Sequence, residues 1–136
     1  MNRDKFQNIA LVRLEEAEKL LEHKLYSGAY YLAGYCVECA LKACICKRTE
    51  QYDFPPQNIK SIYTHDLSVL LRTSELDSLF SQDRHRNNEL DSNWAIVNEW
   101  KEKSRYDYID AIKAISLIEA ISDEENGVLQ WIKQHW

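Results

Sequence analysis

YYLAGYCVECALKACICKR, residues 30–48, is nearly unbroken in apolar and small side chains, holds all four cysteines of the chain, and carries one acid, Glu38, near its middle. Three structures fit such a run: a membrane span, a metal or redox site, or the core helix of a bundle. A span needs about 20 apolar residues with few charges, yet Glu38 and Lys42 fall inside this one. At about 100° per residue the two share a helix face, acid first, in the favourable order for an i,i+4 ion pair. That pair argues against a membrane span.

Zinc asks for four ligands converging on one tetrahedron. On a continuous helix Cys36 and Cys39 can meet, but Cys46 lies seven residues further, about 10 Å along the axis. No metal site is therefore expected. Cys36-Val-Glu-Cys39 has the C-x-x-C form, but a redox pair favours a helix N-terminus, where the dipole lowers the thiol pKa. Mid-helix cysteines among Ala, Val and Leu read as small core residues.

Working outward, only three glycines and two prolines punctuate the 136 residues, and apolar residues recur at steps of three and four. The chain reads as all-α, and its length suits one domain over 1–136. A first helix is expected over 4–23, with Phe6, Ala10, Leu14, Ala17 and Leu21 on one face, and a break at Tyr26-Ser27-Gly28. The second helix runs from 27 to 48 and stops before a loop at Pro55-Pro56. A third follows over HDLSVLLRTSELDSLF, capped by Thr64 with Asp66 near its N-terminus. SQDRHRNN reads as irregular, and a fourth helix spans 88–104 through Leu90, Trp94, Val97 and Trp100.

A fifth helix from 107 carries Ile109, Ile112, Ile115, Ile118 and Ile121, a broad apolar surface that suggests burial on more than one side. Ser122-Asp-Glu-Glu125 resembles a capping box while Asn126-Gly127 is an equally good stop, which leaves open a kinked continuation or a separate short helix.

The net charge of −5 and a pI near 5.4 argue against a protein that coats DNA or an anionic membrane. No apolar leader segment appears in MNRDKFQNIALVRLEEAEKLL, and cysteines confined to one stretch suit reduced thiols. Cytoplasmic residence is the expectation.

Tyr30-Tyr31-Leu32-Ala33-Gly34-Tyr35-Cys36-Val37-Glu38-Cys39-Ala40-Leu41-Lys42-Ala43, then His65-Asp66-Leu67, then Arg105-Tyr106, resembles the HEPN domain family (higher eukaryotes and prokaryotes nucleotide-binding). The similarity runs from the first helix to the isoleucine-rich fifth. It implies an antiparallel up-and-down four-helix bundle with an additional short helix, and a homodimer whose cleft lies between protomers. Many members are metal-independent ribonucleases of toxin–antitoxin and other defence systems, and a minimal nucleotidyltransferase chain is a common companion. Cleavage in the family depends on Arg followed, after four to six intervening residues, by His. Here the positions five to seven before His23, His65, His85 and His135 hold no Arg.

The resemblance then implies a non-catalytic HEPN protein that binds nucleotide, RNA or a partner such as a nucleotidyltransferase. It implies no cofactor. Candidate ligand contacts are Glu38, Lys42, His65, Lys101, Arg105 and Tyr106. Each also has a plain structural use: Glu38 and Lys42 pairing with each other, His65 ordering a loop–helix junction, Lys101 and Arg105 at a helix C-terminus. A divergent ribonuclease would draw on Arg84 or Arg86 for phosphate and His65 or His85 for proton transfer. A structural dimerisation adaptor would use the tryptophans, with Trp131 and Trp136 as surface anchors.

Overall fold

The computed structural model describes residues 2–52 and 62–136, all helix and connecting turns, so the expected Pro55-Pro56 loop lies outside the described residues. The helices are α1 (Arg3–Glu22), α2 (Tyr26–Tyr52), α3 (Leu67–Thr73), α4 (Asp77–Arg86), α5 (Asn88–Asn98), α6 (Ala111–Ser122) and α7 (Val128–Lys133), with a 3-10 turn over Glu102–Tyr106.

α1, α2, α5 and α6 alternate in direction. Leu20 meets Gly28, Arg13 lies over Tyr35 and Arg3 pairs with Glu50, so α1 and α2 are antiparallel. Ile109 and Lys113 approach Ser27 and Tyr30, which sets α6 running with α2. Asn93 bonds to Asn126, past the end of α6, while Ile96 and Ser116 border one groove, so α5 opposes α6. The expected up-and-down bundle is present, with three short helices rather than one added to it among the described residues.

α2 is the central element, packing against α1, α3, α6, α7 and the 3-10 turn. It is long and apolar enough to cross a membrane, but 72% of its apolar window is buried inside the fold. Its apolar surface is spent on the bundle. Cys36, Cys39 and Cys44 are buried and unpaired among Ala, Val and Leu.

Several boundaries differ from expectation for local reasons. The α1–α2 break falls at residues 23–25, where Lys24 takes a left-handed φ of 62°. Gly28 instead sits inside α2, where an added Cβ would lie 3.2 Å from Leu20 Cδ1. Asp66, not Thr64, caps α3, its Oδ1 accepting from the Ser68 and Val69 amides.

The single helix expected over 65–80 breaks after Thr73. Ser74 Oγ donates to the Leu71 carbonyl at 2.6 Å and accepts from the Leu76 amide at 3.3 Å, offering the backbone an alternative to helix. Glu75 follows at φ 60°. SQDRHRNN is largely helical, being the second half of α4. Its preceding Phe80 anchors that helix in the core, against Trp94 and Trp131.

The fourth expected helix ends at Asn98 and gives way to the 3-10 turn, so Lys101 precedes that turn rather than ending a helix, and Arg105 falls in the last turn of the 3-10 element instead of an α-helix. The fifth expected helix starts at Ala111 rather than 107, after the Asp110 cap, so Ile109 precedes α6. Within α6 a three-residue step turns a side chain back by about 60°, so its four isoleucines cannot share a face. Ile109, Ile118 and Ile121 are buried, whereas Ile112 is 77% and Ile115 40% exposed.

The open choice after Ser122 resolves as a separate helix, α7. Asp123 Oδ2 accepts from the Glu125 and Asn126 amides, and a Cβ on Gly127 would fall 2.5 Å from the Asp123 carbonyl. Trp131 and Trp136 are not free surface anchors. Trp131 is buried, with Nε1 donating to Asp83 at 2.8 Å, and Trp136 packs against the core.

Candidate functional site

Tyr31, Tyr35, Glu38 and Lys42 follow one another at steps of four, three and four, and so fall within a sector of about 60° on α2. The stripe's centre is Glu38, 1% exposed. Lys42 Nζ donates to its Oε2 at 3.1 Å, and His65 Nδ1 lies 2.9 Å from its Oε1. Both carboxylate oxygens are thereby engaged. An ionised carboxylate only accepts, so His65 donates from Nδ1 and turns Nε2 outward. The His65 side chain is 47% exposed and Lys42 11%.

Local chemistry places His65 there. Thr64 Oγ1 accepts from the Asp66 amide and Asp66 caps α3, which holds the residue between them against α2. The result is a buried anion neutralised by a cation, with an imidazole presenting its second nitrogen to solvent. Such a group can accept a hydrogen bond when neutral or donate one when charged.

One turn earlier, the Arg13 guanidinium of α1 lies 5.9 Å over the Tyr35 ring and pairs with Glu16. Burial, reinforced by Cys39 and Glu38, pushes the Tyr35 hydroxyl above its ordinary pKa. It stays a neutral donor. Tyr31 and Tyr35 rings stand 6.2 Å apart within 15° of parallel, and Tyr31 also meets Trp100 at 6.1 Å. Trp100 fits because residue 34 is glycine: a Cβ there would come within 2.2 Å of the indole.

The 3-10 turn closes the stripe's far end. Arg105 lies 4.8 Å over the Tyr106 ring and pairs with Glu102 at 3.1 Å. Hydrogen bonding to Tyr106, with Glu102 and Tyr31 behind it, raises its already high pKa. Lys101, just before the turn, is exposed.

Of the expected contacts, Glu38, Lys42 and His65 form one cluster, while Arg105 and Tyr106 form a second, joined to it through Tyr31 and Tyr35. Lys101 sits outside both. Arg84, His85 and Arg86 occupy the last turn of α4, not a loop. Arg84 lies over the Phe80 ring at 4.8 Å and pairs with Asp91 at 3.5 Å. Among the described residues no hydrogen bond or ion pair links these three to Glu38 or His65.

Arg13, Tyr31 and Tyr35 went unnoticed as site residues. The tyrosines had a readable signal, their helical register with Glu38; Arg13 had none, because only the α1–α2 pairing brings it there. The buried thiols carry no such arrangement: burial pushes Cys36 far up, Cys39 to about 11 and Cys44 to about 12. Among the described residues no three metal-ligating side chains converge.

The family model described as HEPN domain matches residues 5–135 of the chain. No curated protein and no solved structure gives a match.

Proposed function

The chain belongs to the HEPN domain family, which supports a nucleotide- or RNA-related role in general, and on that premise we propose that it binds ribonucleotide or RNA along the α2 stripe without cleaving it. The observation that carries this is the engagement of the buried Glu38 by Lys42 and His65 on the helix face that also carries two near-parallel tyrosines, the second His65 nitrogen having no hydrogen-bond partner among the described residues.

In this reading the tyrosine faces take a base, since stacking tolerates any base. Arg13 and Arg105 flank the rings and supply charge for phosphate. Glu38 does not touch ligand; it is a positioning residue that fixes the His65 tautomer and holds Lys42.

Support for binding over cleavage is the missing Arg-x(4-6)-His spacing. Calorimetry with a short single-stranded RNA tests the reading: Tyr35→Ala and His65→Ala weaken binding about tenfold or more, while the RNA stays intact. Loss of intact RNA, abolished by His65→Ala, would establish the divergent ribonuclease instead.

The dimeric assembly and a nucleotidyltransferase partner belong to the same proposal. Tyr108 and Ile112, 90% and 77% exposed, favour an association surface beside the 3-10 turn. Light scattering of Ile112→Glu against the unmodified chain checks it: a dimer that dissociates supports the assembly, and a monomer in both removes it.

A further inference from the structure

The last third of α2 carries a second group of cations, turned away from the Glu38 stripe. Lys47 lies about 180° and Arg48 about 80° around the helix from Glu38. With Ser74 and Glu75 of the α3–α4 turn and His135 after α7, they border a cavity of about 270 Å³ floored by Cys44 and Leu76. That volume is just under the range of about 300–1,000 Å³ typical of drug-sized ligands.

The charges around it are unbalanced. Arg48 Nη2 is held by Glu75 Oε1 at 2.7 Å, and Glu75 adopts its left-handed backbone at that point. Lys47 has no carboxylate within ion-pair distance among the described residues. His135 packs against Trp131 with ring centroids 4.3 Å apart and planes tilted by 43°, which holds its ring at the cavity edge. Burial lowers the His135 pKa, with Lys47 adding to the effect against Asp83. Lys47 therefore brings one uncompensated positive charge to a small space whose one bordering acid is already spent on Arg48, beside an imidazole held toward its neutral form.

We propose that this cavity binds a phosphate group between Lys47 and His135, with the Arg48–Glu75 pair forming its rim. Lysine serves phosphate as a point charge, and the imidazole supplies a second donor. The phosphate is either free or carried by a small phosphorylated ligand. This site is separate from the α2 stripe and does not depend on the reading given to it.

Titration of the ¹⁵N-labelled full chain with inorganic phosphate, at constant ionic strength set by chloride, tests the assignment. Saturable shifts at the Lys47, Glu75 and His135 amides are expected, weakened at least tenfold by Lys47→Gln. Glu75→Gln, which removes the competing carboxylate, tightens binding severalfold. Adenosine monophosphate binding there more tightly than inorganic phosphate identifies a phosphorylated ligand; equal or weaker binding identifies free phosphate. If Lys47→Gln does not fold, His135→Gln gives the same readout. Non-saturating shifts spread over other surface Lys and Arg, or an unchanged Kd in the folded variant, overturn the proposal.

Discussion

Two faces of α2 each bury a titratable group and are chemically opposite. One carries Cys36 and Cys44, where the nearest polar partner is the Ile132 carbonyl, 3.9 Å from Cys44 Sγ. The other carries Glu38, whose two oxygens each have a charged or protonatable partner. Burial without partners silences a titratable group by holding it neutral. Burial with partners keeps the charge and fixes the geometry of whatever holds it. The thiols are therefore packing, and the carboxylate organises the site.

The sharpest way to break that contrast is Glu38→Ala. It strips Lys42 and His65 of their shared anion and opens a hole in the core, and breaking a buried pair costs about 3–5 kcal/mol. Urea unfolding should show a loss of that size. An equal loss for Cys36→Ala would erase the difference between the faces, since trimming one buried sulfur should cost only about 1 kcal/mol.

Gly34→Ala should come next. The new methyl meets the buried Trp100 indole, and overpacking typically costs about 1–3 kcal/mol. Tryptophan fluorescence should shift with the displaced ring. An unperturbed spectrum and stability would mean that Trp100 is not wedged against α2.

The cysteine face should reveal itself in alkali. Unfolded thiols lose protons near pH 9.0, whereas the folded chain holds them to about 11 at Cys39 and about 12 at Cys44. Folded pKa values raised in this way contribute stability that is intact below pH 9 and lost as pH rises toward the folded values. The slope is about 1.4 kcal/mol per pH unit for each thiol held back. Chemical denaturation at pH 8, 9 and 10 should trace this decline, and alanine at positions 36, 39 and 44 should flatten it.

His65→Ala is the mildest change to stability, about 1–2 kcal/mol, because the imidazole is half exposed and Lys42 still pairs with Glu38. Its larger effect should fall on ligand affinity. A stability loss matching Glu38→Ala, with affinity untouched, would reduce His65 to a clamp.

Much of this was legible in the residues. Periodicity gave α1 to within a residue at each end and the bodies of α2 and α6 but not their limits, and the four-residue step from Glu38 to Lys42 predicted their ion pair. His65 was nominated, but not its contact with Glu38, because the two are 27 residues apart and only the docking of α3 on α2 joins them. The break at Ser74-Glu75 hid under a continuous leucine rhythm, since neither residue is a strong helix stop. The helical SQDRHR passed for a loop because its polarity concealed how firmly Phe80 anchors that helix. The exposure of Ile112 followed from geometry, the three-residue spacing sweeping around the helix.

The most direct test of the central claim is titration of a short single-stranded RNA into the full chain and into Glu38→Gln, which keeps the shape but removes the charge. The account predicts saturable binding by the unmodified chain, shifts confined to Tyr31, Tyr35, His65 and Arg105, and at least tenfold weaker binding by the variant, with RNA uncut in both. Equal affinity for the two folded proteins, or binding whose shifts avoid the α2 stripe, would contradict it.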